Sequence, residues 1–186
     1  IELPVINHFS TQGSAGGAVG ILNPDLVSAV DFYSGAFPAN RPNALSSVLD
    51  IRLKEGSRDR VHTKISLGAS DASLTLNGPL NSRSTFIASV RQSYLQMLFK
   101  WLDLPFLPTY NDFQFKYDYR ISDRRNLSII ALASLDKMRL NTDLDADDNE
   151  GRRFLLNSLP TYDQWHYTIG AVYKVLGAKH TDRWVL

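Results

Sequence analysis

Phe113-Gln114-Phe115-Lys116-Tyr117-Asp118-Tyr119-Arg120 alternates aromatic and polar residues without a break. An extended chain turns successive side chains to opposite faces. Phe113, Phe115, Tyr117 and Tyr119 therefore share one face, and Gln114, Lys116, Asp118 and Arg120 share the other. Such a strand fits a soluble sandwich, with one face in a core and one in water. It also fits a wall between lipid and a wet lumen.

The same period recurs around it. Thr63, Ile65 and Leu67 alternate with His62, Lys64 and Ser66, and Ala72, Leu74 and Leu76 with Ser73, Thr75 and Asn77. Phe86, Ala88 and Val90 oppose Ile87, Ser89 and Arg91, a more mixed strand. In Leu127 to Leu135, Ser128 and Ser134 share a face with Ile130 and Leu132. Tyr167, Ile169, Ala171, Tyr173 and Val175 oppose His166, Thr168, Gly170, Val172 and Lys174, and Thr181 to Leu186 begins a further strand. Period two over this many segments predicts a mainly β chain. Residues 1–56 differ: they are rich in Gly, Ser, Asn and Pro with short apolar bursts. The composition changes near Gly56.

The spacing predicts connections of alternating length. Gly78 to Arg83, Ser122 to Asn126 and Leu176 to Lys179 read as short turns, with Pro79 unsuited to a central strand. Between them lie long connections, Gln92 to Asp112 and Asp136 to Asp163. Short turns at one end and long loops at the other are the habit of outer-membrane barrels. Ala69-Ser70-Asp71 breaks the scheme by being short where a long loop is due.

Composition narrows the function classes. The 186 residues are 44% apolar and 21% charged, which excludes a disordered chain and a helical membrane protein. Lys plus Arg number 20 and Asp plus Glu 19, a net charge of +1, so no global charge points to nucleic acid or an anionic surface. There is no cysteine, hence no disulfide, thiolate metal site or cysteine nucleophile. The longest clean apolar run, Ile129 to Ala133, falls far short of the roughly 18 residues of a membrane helix. Ile1-Glu2-Leu3-Pro4 has neither the basic region nor the apolar core of a signal peptide, and the chain does not start with Met. The expectation is a mature product or a piece of something longer.

Residues 21–56 carry a resemblance. Asn23-Pro24-Asp25 reads as a helix entry, with Asn23 as N-cap and Pro24 at the first helical position. Val30 to Tyr33 reads as a strand, which Gly35 can end with a positive φ. Ala36 to Ala39 and Leu45-Ser-Ser-Val-Leu-Asp-Ile51 follow, and Val48 to Leu53 alternates as a strand with Leu49, Ile51 and Leu53 on a dry face. In this order these motifs resemble the end of the plug domain of TonB-dependent outer-membrane receptors, in the form common in Bacteroidetes. Upstream, Asn7-His8-Phe9 and the glycine-rich Gly13 to Gly20 look like the preceding plug segment. Downstream, Leu74 to Leu80 and Phe86 to Leu98, with Arg91-Gln-Ser-Tyr-Leu95, look like the first barrel strands. Pro42 departs from the pattern, which often has glycine there.

The resemblance implies a fold and a function. Residues 1–56 would be the C-terminal part of a small α+β plug domain. Residues 57–186 would supply the first antiparallel strands, about six or seven, of a transmembrane β-barrel that this family closes with about twenty-two. So few strands cannot close, and lipid tolerates no open edge. The chain is therefore expected to be a fragment whose missing parts carry the signal peptide, the TonB-contacting segment and most of the barrel. The implied function is uptake of a scarce ligand (siderophore, cobalamin, glycan or peptide) across the cell outer membrane, driven by TonB. The implied partners are the TonB complex, the ligand, outer-membrane lipid and an accessory lipoprotein, with no nucleic acid, no cofactor and no enzymatic step. A soluble β-rich binding or adhesion module is the alternative; it would bury the aromatic face in its own core. An outer-membrane barrel enzyme would need a nucleophile and base facing the lumen, and no such constellation is present in the sequence.

Individual motifs carry little chemistry. Asp143 to Glu150 is an acidic run, but read as a calcium loop it has Asp148 at the sixth position and Phe154 at the twelfth, where glycine and glutamate belong. It reads as a solvated outside loop. His8, His62, His166 and His180 lie far apart, with no pair at metal-ligand spacing, and read as surface or lumen residues. Gly13 to Gly20 lacks the Gly-Lys-Ser/Thr ending of a phosphate loop. The aromatics between Tyr94 and Tyr110, with Phe99, Trp101 and Phe106, read as an interfacial girdle, with a ligand platform as the alternative, and Leu95 to Leu102 has helical spacing. No catalytic, metal or ligand-binding residue is assigned from the sequence.

Overall fold

The computed structural model describes residues 1–10, 16–17, 19–37, 46–142 and 150–186, without the side chains of 150, 152, 153 and 155. The fold is mainly β, and its sheets are antiparallel. β1 (Val27–Tyr33) and β2 (Val48–Leu53) form a two-stranded sheet. β3 (His62–Leu67), β4 (Asp71–Asn81), β5 (Ser84–Ser93), β6 (Phe106–Ser122), β7 (Arg125–Leu140), β8 (Tyr162–Leu176) and β9 (Thr181–Val185) form a second sheet in chain order. Two helices interrupt it, α1 (Leu95–Trp101) and α2 (Glu150–Ser158).

The connections alternate as the sequence spacing predicts, but the long ones are shorter than expected. β5 continues to Ser93 and β6 begins at Phe106, so the connection is 94–105, not Gln92 to Asp112. Likewise β7 runs to Leu140 and β8 begins at Tyr162, so 141–161 replaces Asp136 to Asp163. Asn111, Asp112 and Asp136 read as loop because they are polar. Asp112 and Asp136 are strand residues because a polar face here is a buried face, and Asn111 is a strand residue on the outer face, paired with Leu135. Pro79 lies inside β4, paired with Thr85 of β5. It stands past Asn77, the last residue that β3 pairs, so its missing N–H denies β3 nothing. Asn23 does cap the turn Pro24–Leu26, its side chain accepting from the Asp25 N–H at 2.9 Å. Gly35 does not take the left-handed conformation; that falls to Ala36, with φ of 51°.

The two faces of the large sheet are inverted relative to a water-soluble protein. Register aligns Ile65, Leu74, Val90, Phe113, Ala133 and Tyr167 in one row and Thr63, Leu76, Ala88, Phe115, Ala131 and Ile169 in the next. These rows face outward: Tyr167 and Ile169 are 65% and 69% exposed, and Trp165, in the next row on the same face, is 67% exposed. The opposite face carries Thr75, Ser89, Arg91, Asp112, Gln114, Lys116, Ser134 and Asp136, and every one of them is buried. Residues 8–10, 20–23 and 54–56 lie against that face.

The cover is close. Lys116 Nζ donates to the Lys54 carbonyl at 2.9 Å. A Cβ on Gly56 would stand 2.6 Å from Thr85 Cβ and 2.9 Å from the Phe86 carbonyl oxygen, so only glycine fits. Gly56→Val is expected to lower stability by about 1–3 kcal/mol through overpacking. Gly35, with nothing within 4 Å of its would-be Cβ, is the control and should shift the urea midpoint little.

Candidate functional site

The strongest cluster of chemistry lies where the N-terminal segment meets β5 to β8. β6 and β7 pair Tyr110 with Asp136 and Asp112 with Ser134, which brings two carboxylates to one buried patch. β5 adds Arg91, paired with Asp112, and β8 adds Gln164, paired with Asp136. His8 descends into this patch from above.

His8 Nδ1 lies 2.6 Å from Asp136 Oδ1, and Nε2 lies 3.2 Å from Asp112 Oδ2. None of the three side chains reaches solvent. The His8 ring stacks on Tyr110 at 4.2 Å between centroids. Asp136 Oδ2 also accepts from the Phe9 N–H at 2.9 Å and from Gln164 Nε2 at 3.0 Å. Arg91 Nε donates to Asp112 Oδ2 at 2.7 Å, while its Nη2 donates to the carbonyls of Gly20 at 2.6 Å and Ile21 at 3.0 Å. Gln114 Nε2 joins Asp112 Oδ1 at 3.0 Å to the Ile21 carbonyl at 2.8 Å. The sheet thus grips the segment at two points, around His8 and around Gly20 to Ile21.

A third grip is Asn23. Its Nδ2 donates to Ser89 Oγ at 2.7 Å, and its N–H donates to Gln114 Oε1 at 3.1 Å. The residue that caps the turn is therefore also a docking residue. Asn23→Ala removes the cap and the donor to Ser89, while the main-chain N–H bond to Gln114 stays. The expected loss is about 1–3 kcal/mol, measured as a lower urea midpoint.

Electrostatics decide the state of His8. Burial desolvates the imidazole and opposes its charge, but the hydrogen bonds and negative charge of Asp112 and Asp136 outweigh it and hold its pKa above the ordinary 6.5. Two carboxylates and one guanidinium leave a buried net charge of −1, which the imidazolium neutralises. Phe9, next to it, takes a φ of 60°. Its N–H bond to Asp136 and its edge contacts with Tyr110 and Tyr162 hold it there. Strain of this kind persists only where the surroundings over-determine it.

Two hollows flank the sheet. An apolar one of about 180 Å³, lined by Phe106, Met138, Leu159, Pro160 and Tyr162, sits at the end with the long connections. Tyr162 links it to Phe9, hence to His8. A polar one of about 410 Å³ lies at the short-turn end, among Arg58, Asp118, Arg120, Asp123 and Lys174.

The sequence-level candidates fare unevenly. His8 is no surface or lumen histidine; it is 1% exposed. His62 lies near Asp59 at 3.2 Å and His180 near Asp182 at 3.4 Å, both exposed. His166 Nε2 is 3.2 Å from Gln164. Asp143 to Asn149 lie outside the described residues, as do Pro42 and positions 13–15 and 18 of the glycine-rich stretch; Glu150 begins α2. Among the expected girdle aromatics, Tyr110 is fully buried on the inner face, whereas Trp101 on α1 is 81% exposed and Phe99 packs edge-on to Phe106. Among the described residues no group of His, Asp and Glu is arranged to hold a metal ion. The grip residues Arg91, Asp112, Asp136 and Gln164 are not legible as a group, because Asp112 and Asp136 read as loop. The usable signal is that Asp112 and Asp136 continue the inner-face alternation of Gln114 and Ser134. No family model, curated protein or solved structure matches this chain.

Proposed function

We propose that this chain is part of a TonB-dependent outer-membrane receptor, with the seven-stranded sheet as a segment of the barrel wall and residues 1–56 as plug. The observation that carries the reading is the inverted sheet: its charged face is buried where residues 8–10, 20–23 and 54–56 lie against it, and its aromatic face is bare. In water that arrangement leaves a large apolar surface uncovered. In lipid it is the ordinary one, because the lumen is wet and the outer band is apolar.

The aromatic placement supports the same reading. Trp165 and Tyr167 stack near one end of β8, and Tyr173 stacks on Trp184 near the other. Eight residues separate Trp165 from Tyr173. At a rise of about 3.3 Å and a tilt of about 40° they span a height of about 20 Å, close to an apolar band flanked by girdles. Ile169 and Ala171 lie between.

In this reading a ligand arrives at the end with connections 94–105 and 141–161, where the apolar hollow opens. TonB, engaged through a plug segment beyond this chain, pulls on the plug. The contacts of His8, Gly20 and Asn23 with the sheet are then what the pull must loosen. No covalent bond is made or broken. The partners are the TonB complex, lipid, an extracellular ligand and an accessory lipoprotein.

Tryptophan quenching tests the reading. Carried in the closed barrel that the reading requires, with Trp165 and Trp184 as the only tryptophans, the chain folded into lipid vesicles should show strong quenching by lipids brominated near the headgroup end of the acyl chain, since both face outward. A soluble binding module would stay in the aqueous phase with unquenched fluorescence, and that result would overturn the proposal.

A further inference from the structure

We propose that His8 is a proton-operated latch: the imidazolium clamps the N-terminal segment onto β6 and β7, and loss of its proton releases the segment. The inference concerns residues 1–26 and the sheet they cover, and it stands whether or not the chain is a transporter.

The geometry offers His8 a different partner in each state. As imidazolium it donates from Nδ1 to Asp136 and from Nε2 to Asp112. As neutral imidazole with its proton on Nδ1 it keeps Asp136, but Nε2 turns acceptor. Its nearest donor is then Arg91 Nη2, at 3.3 Å, a group already committed to the Gly20 and Ile21 carbonyls. Deprotonation therefore strips Asp112 of one of its donors and puts Nε2 in competition with the carbonyls that hold the segment. It also leaves two buried carboxylates against one guanidinium, and an uncompensated buried charge is costly.

The groups facing His8 come from every strand beneath it. β5 contributes Arg91, β6 contributes Asp112 and Tyr110, β7 contributes Asp136, and β8 contributes Gln164, His166 and Tyr162. Tyr110 Oη donates to Asp71 Oδ2 at 2.5 Å, so β4 reaches the cluster too. His8 is the cluster's swing group: its pKa lies above 6.5, so the clamp is complete below that pH and is lost as pH rises through the raised value.

The chain has no cysteine, so one introduced thiol reports alone. Ser10→Cys places it under the cover, beside the Gln164 contact. Met97→Cys, exposed on α1, supplies the reference rate at each pH. In the folded full chain the labelling ratio of Ser10→Cys to Met97→Cys should rise about tenfold between about pH 6 and about pH 10. His8→Gln should remove this dependence. His8→Lys, which keeps its charge to higher pH, should restore low labelling across the range. Asp136→Asn balances the cluster with a neutral His8 and should abolish the alkaline rise. A flat ratio in the chain with native His8, or the same rise in His8→Gln, overturns the proposal.

Discussion

Replacing Asp136 by alanine is expected to cost about 3–5 kcal/mol and to lift the N-terminal segment from the sheet, because the change strips a partner from a buried ion pair and leaves its mate behind. Asp136 is fully buried and takes three donors: His8 Nδ1, the Phe9 N–H and Gln164 Nε2. Alanine leaves the Phe9 N–H without its acceptor, in a backbone conformation that this bond helps hold at a φ of 60°. Urea unfolding followed by labelling at Ser10→Cys separates the two consequences. The segment should become reactive well before the sheet unfolds, since the β6–β7 ladder does not use the carboxylate. In a double-mutant cycle with His8→Ala, the pair should couple by more than about 1 kcal/mol. Strict additivity would mean that the 2.6 Å contact contributes nothing.

The strands that announce themselves in the sequence are those whose outer face is aromatic or aliphatic. Phe113 to Tyr119 shows β6, Tyr167 to Val175 shows β8, and Leu95 to Leu102 shows α1, each because a local period repeats over enough residues. Asn23 shows its cap because capping is local chemistry. The ends of the strands are hidden, since Asn111, Asp112 and Asp136 are polar and the usual inference sends polar residues to loops. The buried node is hidden for a different reason. His8 and Asp136 are 128 residues apart, and Asp112 and His8 are 104 apart. Nothing in the neighbourhood of His8 tells it from a surface histidine; only the sheet register makes the site. What links sequence to site is the inversion itself: once the charged face is the covered face, buried charges such as Arg91, Lys116 and Asp136 need partners from the cover, and His8, Phe9, Gly20, Ile21 and Lys54 supply them.

The inversion makes a quantitative demand at Ile169. It faces outward at the middle of β8, 69% exposed, between the Trp165–Tyr167 pair and Tyr173. If that face meets hydrocarbon, Ile169→Arg places a guanidinium near the bilayer midplane, at an expected cost of about 2–4 kcal/mol. Ala178→Arg, in the exposed turn after β8, sits at the edge of the band and should cost about 0–1 kcal/mol. If the face meets water instead, the order collapses. An exposed isoleucine changed to arginine in water falls within about 0.5 kcal/mol of neutral and improves solubility. Unfolding of both variants from lipid vesicles, each carried in the closed barrel that the reading requires and read by tryptophan emission, distinguishes the two cases by the difference between the substitutions rather than by either value alone. A large gap in favour of Ala178→Arg requires an apolar solvent around β8. Equal costs would place the aromatic rows in water, and the outer-membrane reading would fall with them.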